Sequence, residues 1–179
     1  MRVKGFLGAS AIAAAALTFG VSAALAETKG PVTDELGVVE IPAGAPITIG
    51  AYWVISGADA ALGIDSKRAV EIWLDEAGGK IKGRDVQLIV EDDGCNAEGG
   101  QTAGTKIAAI PNVVGVLGGA CSSATRAAAP ILWKQGILNI CTACTAASLT
   151  AADRKPDYFG FLRTIYSDAD QAANDAKWF

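Results

Sequence analysis

The sequence predicts an α/β protein built on a parallel sheet with helices on both faces, and three observations carry that reading. Short apolar runs rich in β-branched residues recur along the chain, as in ITIGAYWVI, VQLIV, VVGVL and ILNI. Between them lie longer segments with apolar residues at helical spacing. Glycine-bearing turns punctuate the alternation, and strands alternating with helices demand crossover connections, which are right-handed. At 179 residues the chain suits one domain, or one and a fraction, and 51% hydrophobic against 19% charged residues excludes a disordered chain. No repeat of fixed period is visible, which excludes a solenoid. The chain has no histidine, so mechanisms that need an imidazole base or His-ligated zinc are excluded. A net charge of −4 without a basic cluster argues against a nucleic-acid partner.

The elements follow in order. Residues 27–46 are rich in Gly and Pro and read as an N-terminal extension, with Gly37 to Ile41 as a short edge strand before the turn-forming PAGAP. Ile47 to Ile55 is the first core strand, buried on both faces. Ile64 to Glu76 forms a helix whose stripe is Ala69, Val70, Ile72, Trp73 and Ala77, stopped by Gly78-Gly79. Val86 to Val90 is the second strand, and Ala97 to Ile110 a glycine-weakened helix capped by Asn96. Val113 to Leu117 is the third strand, followed by a helix that runs to Gln135 with Gly136 as its stop and Pro130 bending it. Ile137 to Ile140 is the fourth strand, Cys141 to Asp157 a loop, and Tyr158 to Arg163 a further strand. Ser167 and Asp170 form an N-cap pair for a last helix. Trp53, Trp73 and Trp133 fall on core positions.

The first segment is an address. Arg2 and Lys4 precede an uncharged apolar stretch ending in Ala24-Leu25-Ala26, the pattern of a secretory signal peptide over 1–26 with cleavage near Ala26. With Arg2 and Lys4 removed, 13 basic side chains face 19 acidic ones, a formal charge of −6 on an exported, acidic chain.

In a parallel sheet ligands bind beyond the carboxyl ends of the strands, where Ser56-Gly57, Glu91 to Cys95, Ala120 to Ser123 and Cys141 to Thr145 all fall. Ser122 and Ser123 open a helix after a Gly-rich strand end, a place suited to an anion; a plain N-cap is the simpler reading of the same residues. The loop lacks the lysine of a phosphate-binding loop. Glu91-Asp92-Asp93 offers a helix cap in Asp92 or Asp93, with the rest solvated, rather than a cation site. Four cysteines in an exported chain ask for disulfides, and four allow three pairings; Cys95 and Cys121 end the second and third strands and would come within bridging reach if those strands were neighbours. Cys141 and Cys144 have the spacing of a redox pair, a half metal site or a local bridge. The loop-like TAASLTAADRKP that follows argues against a thioredoxin-like site, and no second ligand pair supports a metal, which leaves small packing residues or a strained local disulfide. No metal and no cofactor are expected.

The pieces ITIGAYWVISG, IKG, VEDDGC, GVLGGACSSAT, AAP, GILNI, SLT and FLRT, in this order from about Ile47 to Phe179, resemble the leucine/isoleucine/valine-binding type of periplasmic binding protein, which serves bacterial ABC importers. The resemblance implies two α/β lobes that close on an amino acid or related solute. Residues 47–165 would form the first lobe and 166–179 the start of the hinge crossing and the first helix of a second lobe, which is missing. It implies that Ser122, with Ser123 and Cys121 beside it, holds the ligand carboxylate, that Ala143 and Thr145 complete the contact set, and that Leu62 stands where relatives often carry an aromatic residue. It also implies a Cys95–Cys121 disulfide. The function expected is a periplasmic, monomeric, non-enzymatic binding protein that hands an amino acid, amide or small acid to an inner-membrane permease. The alternatives are an exported thiol oxidoreductase using Cys141 and Cys144, or a sensory protein of the same fold.

Overall fold

The computed structural model describes residues 38–178. The expected signal peptide, most of the N-terminal extension, Gly37 and Phe179 lie outside them. Along the chain the elements are β1 (Ile47–Trp53), α1 (Ala60–Glu76), β2 (Lys80–Ile81), β3 (Arg84–Asp92), α2 (Ala97–Ala108), β4 (Val113–Gly118), α3 (Ser122–Lys134), β5 (Asn139–Cys141), β6 (Phe161–Arg163) and α4 (Asp168–Asp175), with single 3-10 turns at Ala147–Leu149 and Pro156–Tyr158.

The strands form one sheet of six in the order β2-β3-β1-β4-β5-β6. All neighbours are parallel except β2, which pairs antiparallel with the start of β3. That edge hairpin is absent from the sequence reading. Its two-residue turn holds Lys82 and Gly83 at positive φ, the backbone that suits the twist of a tight hairpin. Of the edge strand expected at 37–41, the described residues 38–41 carry no strand, and Val38 and Val39 stay exposed. Two valines do not hold a strand where no ladder partner reaches them.

The chain leaves β1 for β3 on one side, then crosses back over β1 to β4 on the other, so the sheet changes direction between β1 and β4. Right-handed crossovers to opposite sides put α1 on one face and α2 with α3 on the other. A Cβ on Gly50 would fall 2.5 Å from Ile107 of α2, so Gly50 and its alternates Thr48 and Tyr52 face α2. On that face Tyr52, Ile107, Val116, Ala128 and Leu132 form a closed core. Ile49, Ala51 and Trp53 point the other way, where Val70 of α1, Leu88 and Leu117 pack around Ala51 and Trp53. A third cluster joins Ala129 of α3 to Cys141, Cys144, Leu149 and Phe161.

α3 runs unbroken through Pro130. Proline has no N–H for the carbonyl of Arg126, one turn earlier, and the Tyr158 hydroxyl donates to that oxygen at 3.0 Å. α1 departs from its expected role. Ile72, Trp73 and Ala77 of its predicted stripe are exposed, and Gly63 is its one buried residue. Trp53 is wholly buried as expected, Trp133 is half-buried, and Trp73 is 51% exposed. Periodicity identified the helix, but α1 meets the sheet at a narrow strip, and among the described residues Ile72 and Trp73 stay exposed.

Candidate functional site

The residues singled out above lie on the connections that follow β1, β3, β4 and β5, around the crevice expected where the sheet changes direction between β1 and β4. Gly118 ends β4 and α3 begins at Ser122 with Cys121 as its N-cap residue, which offers no side-chain cap. The serines are therefore not the cap. The amides of the first turn have no acceptor within the helix, no acidic residue stands in that turn, and the positive end of the dipole lies there. α2 differs: Asn96 accepts from Gly99 N–H, and Glu98 sits in its first turn. α4 is closed by a Ser167–Asp170 capping box, as the sequence indicated.

Ser122 Oγ accepts from the Ala146 amide at 3.1 Å, which fixes the hydroxyl and leaves its proton free for another acceptor. That bond joins the start of α3 to the loop after β5, bringing Ser122 beside Thr145. The Thr145 carbonyl accepts from Asp168 N–H at 2.8 Å, so the loop is also anchored to α4. Arg163 donates to the carbonyl of Ala146 at 3.0 Å, and Thr164 N–H to that of Cys141 at 3.2 Å. Ala143 packs against the cluster that contains Ala120, Cys121 and Ala124. Ser123 is committed elsewhere, its hydroxyl donating to the Cys95 carbonyl at 2.8 Å.

The third side of the crevice is the first turn of α1. Leu62 is 52% exposed, and its carbonyl accepts from Ser66 Oγ, which also lies 3.0 Å from Thr142 Oγ1. Ser66 and Thr142 thus tie α1 to the Ala143 loop. Sequence reasoning missed both, although Ser66 stands one helical turn after Leu62, the spacing that puts two residues on one face.

Beneath the crevice lies a buried polar layer. Asp92 accepts from the amides of Gly94 at 2.9 Å and Ile55 at 3.2 Å, joining the loops after β1 and β3. Its desolvation opposes ionisation, but hydrogen bonds from Ser56, Gly94 and Ile55 outweigh it and hold the carboxyl below its ordinary value. Asp93 accepts from Cys95 N–H at 2.8 Å through one oxygen; the other is buried without a partner. Burial pushes the Asp93 carboxyl up, and the neighbouring Asp92 charge adds to it. Neither aspartate caps α2, and Asp93 is buried rather than solvated, because both close the turn that delivers the chain to Asn96. Glu91, the third acid, pairs with Lys106 at 2.7 Å. Tyr52 donates to Asn139 Oδ1 at 2.6 Å, and burial drives its phenol well above the ordinary value. A Cβ on Gly119 would lie 2.8–3.1 Å from Tyr52, Asp93 and Thr125, so that glycine lets the strand end descend onto this layer.

The cysteines pair as Cys95–Cys121, with Cα atoms 5.2 Å apart, and Cys141–Cys144, at 6.1 Å, leaving none free. The first pair links the turn after β3 to the residue that opens α3. The Cys121 side chain therefore belongs to the bridge. Among the described residues no cluster of His, Cys, Asp and Glu could hold a metal.

Residues 46–179 match the family model described as periplasmic binding protein. A Leu/Ile/Val-binding protein of Escherichia coli strain K12 is 36% identical over 102 residues, a stretch that covers 57% of this chain and 26% of the relative. This chain thus aligns with about a quarter of that relative's length. A branched-chain amino acid transporter substrate-binding protein from Streptococcus pneumoniae, solved with isoleucine, superposes with a TM-score of 0.62 at 25% identity, over 69% of this chain and 35% of that one. A leucine-binding protein from Thermotoga maritima shares the fold with a TM-score of 0.65 at 21% identity, over 74% of this chain and 36% of its own. These relatives are solute-binding proteins, not enzymes. A six-stranded sheet with its crevice at the β1–β4 switch, and a family match from residue 46 onward, agree: the chain belongs to the periplasmic binding protein family.

Proposed function

We propose that this chain carries the first lobe, residues 47–165, of an exported solute-binding protein that captures a branched-chain or other amino acid, or a related amide or small acid, for an ABC permease. The observation that carries the reading is the hydrogen bond that sets Ser122, at an uncapped helix start, against the loop of Ala143 and Thr145. The free amides of α3 and the Ser122 hydroxyl suit a carboxylate. On this account the Thr145 hydroxyl and the Ala143 backbone, on the loop tied to Ser122 through Ala146, serve the ammonium, and Leu62 of α1 meets the ligand side chain. In this reading the ligand makes the rest of its contacts with a second lobe. Residues 166–179 are then the start of the hinge crossing and the first helix of that lobe, α4, which buries none of its residues. Grip from both lobes stabilises the closed form, which the permease recognises. The protein works as a monomer in the periplasm, with the leader 1–26 removed.

The thiol oxidoreductase alternative fares worse. Cys141 and Cys144 are 0% and 1% exposed, so a protein disulfide cannot reach them.

The test is Ser122→Ala in the complete two-lobed protein, measured by calorimetry with leucine, isoleucine and valine. The variant should bind about 1–3 kcal/mol more weakly, from the loss of a hydrogen bond to a charged group. Unchanged affinity would reject the site.

A further inference from the structure

We propose that the Cys141–Cys144 pair is a clamp: a four-residue disulfide ring that fixes the conformation of the loop running from β5 past Ala143 to Ala146. The proposal rests on the reading of that loop as ligand-binding, and its test is arranged so that the two can fail separately.

The loop is short and bears much of the crevice. Thr142 meets Ser66 of α1, Ala143 packs beside Cys121, and the Ala146 amide orients the Ser122 hydroxyl. Its ends are tied, by Thr164 to the Cys141 carbonyl and by Arg163 to the Ala146 carbonyl. The stretch between, Thr142 and Ala143, lies outside any strand or helix. It is also half-buried, where a free choice of backbone conformation would cost the crevice its geometry. The bridge supplies the missing restraint. The Cα atoms of Cys141 and Cys144 stand 6.1 Å apart, within the span a disulfide closes, and both sulfurs sit in the cluster with Ala129, Leu149 and Phe161. Cys95–Cys121 restrains the other flank of the crevice, so each of the two loops that meet at Ser122 carries one bridge.

Formation balances with a disulfide oxidant of the exported compartment. The Cys141 thiolate attacks the oxidant disulfide and displaces one oxidant thiolate. The Cys144 thiolate then attacks the Cys141 sulfur of the mixed disulfide and displaces the second oxidant sulfur. Two electrons and two protons pass to the oxidant, which leaves as a dithiol. Because both sulfurs are buried, exchange belongs to a stage before the loop packs against α3. In the folded protein the bridge is shielded from reductant.

The experiment is performed on the chain secreted through an oxidising compartment. It is alkylated without reduction in denaturant and cut with trypsin, which releases both cysteines on the single peptide Gln135 to Arg154. That peptide should appear unalkylated and lighter by two hydrogens than its reduced form. Two alkylated thiols would overturn the proposal. Amide exchange is then compared between the wild type and Cys141→Ala with Cys144→Ala. Exchange should rise about tenfold or more over 142–146, with α2 and α3 unchanged. Equal rates over 142–146 would also overturn it. Should the double variant fail to fold, the single variant Cys144→Ala, which removes the bridge with one substitution, gives the same comparison. Absence of amino-acid binding by the complete protein, bridged or not, would sink the reading of the site instead, while the mapping and exchange still decide the clamp.

Discussion

The two faces of the sheet carry similar apolar sequences and meet very different fates. On the α2–α3 face, glycine allows helices to close on each other. A Cβ on Gly100 would fall 2.2 Å from the Ala124 carbonyl oxygen, and one on Gly104 would meet Ala128 at 3.0 Å. Behind that contact Ile107 and Leu132 are wholly buried. On the opposite face α1 stands alone. Ile72 and Trp73 remain more than half exposed, and among the described residues no helix covers Leu138, Ile140 and Leu162 of the β5–β6 half. α1, α2 and α3 have similar mean hydropathy, so the difference in burial follows how closely the backbones approach.

The largest break of this contrast is expected from Leu132→Ala. It opens a hole between α3 and the sheet where the neighbours are held at close packing, and should cost about 3 kcal/mol in urea unfolding. A loss under about 1 kcal/mol would mean that the α2–α3 face is no tighter than the other.

Asp93 sharpens the comparison, because it is the titrating group of the buried polar layer at the top of the packed face. Its folded-state value is raised, so below the ordinary carboxylate value the acid is protonated in both states and exacts nothing. As pH rises from there through the folded value, the unfolded chain releases the proton first and stability falls. Asp92 and Asp170, both held low, contribute in the opposite direction, since their stabilisation is lost as pH falls. The difference between wild type and Asp93→Asn isolates the one site. The variant should gain on the wild type as pH rises from about 4 to 7, because the wild-type carboxylate is held back from ionising by burial while asparagine does not titrate. A constant difference across that range would show that Asp93 does not titrate with folding.

The smallest effect is expected on the open face. Ile72→Ser should change stability by about 0.5 kcal/mol or less, since the side chain is already 59% exposed. A loss as large as that of Leu132→Ala would erase the distinction between the faces.

Much of the fold was legible in the sequence. The runs at 47–53, 86–90 and 113–117 are strands, the glycines at 78–79 and 136 follow the ends of α1 and α3, and Asn96 and Ser167 are caps. These signals are local, because a β-branched run or a capping side chain acts within a few residues. The Lys80–Ile81 strand escaped notice because two residues carry no periodicity, and residues 38–41 carry no strand because pairing needs a partner that sequence does not supply. For the crevice, the Gly-rich strand end marked the helix start at Ser122. The Ser66–Thr142 contact and the Ala146 bond to Ser122 were not legible, since they join positions 76 and 24 residues apart.

The sequence by itself determined the order of strands and helices and the ends of most of them, through forces that operate over one or two turns of chain. The tertiary structure alone decided which apolar faces are buried, that Asp93 is sealed off while Glu91 is not, and that α1, α3 and the Cys141 loop share one crevice. Those outcomes depend on backbones meeting across the sheet, where a single Cβ determines whether two elements can touch.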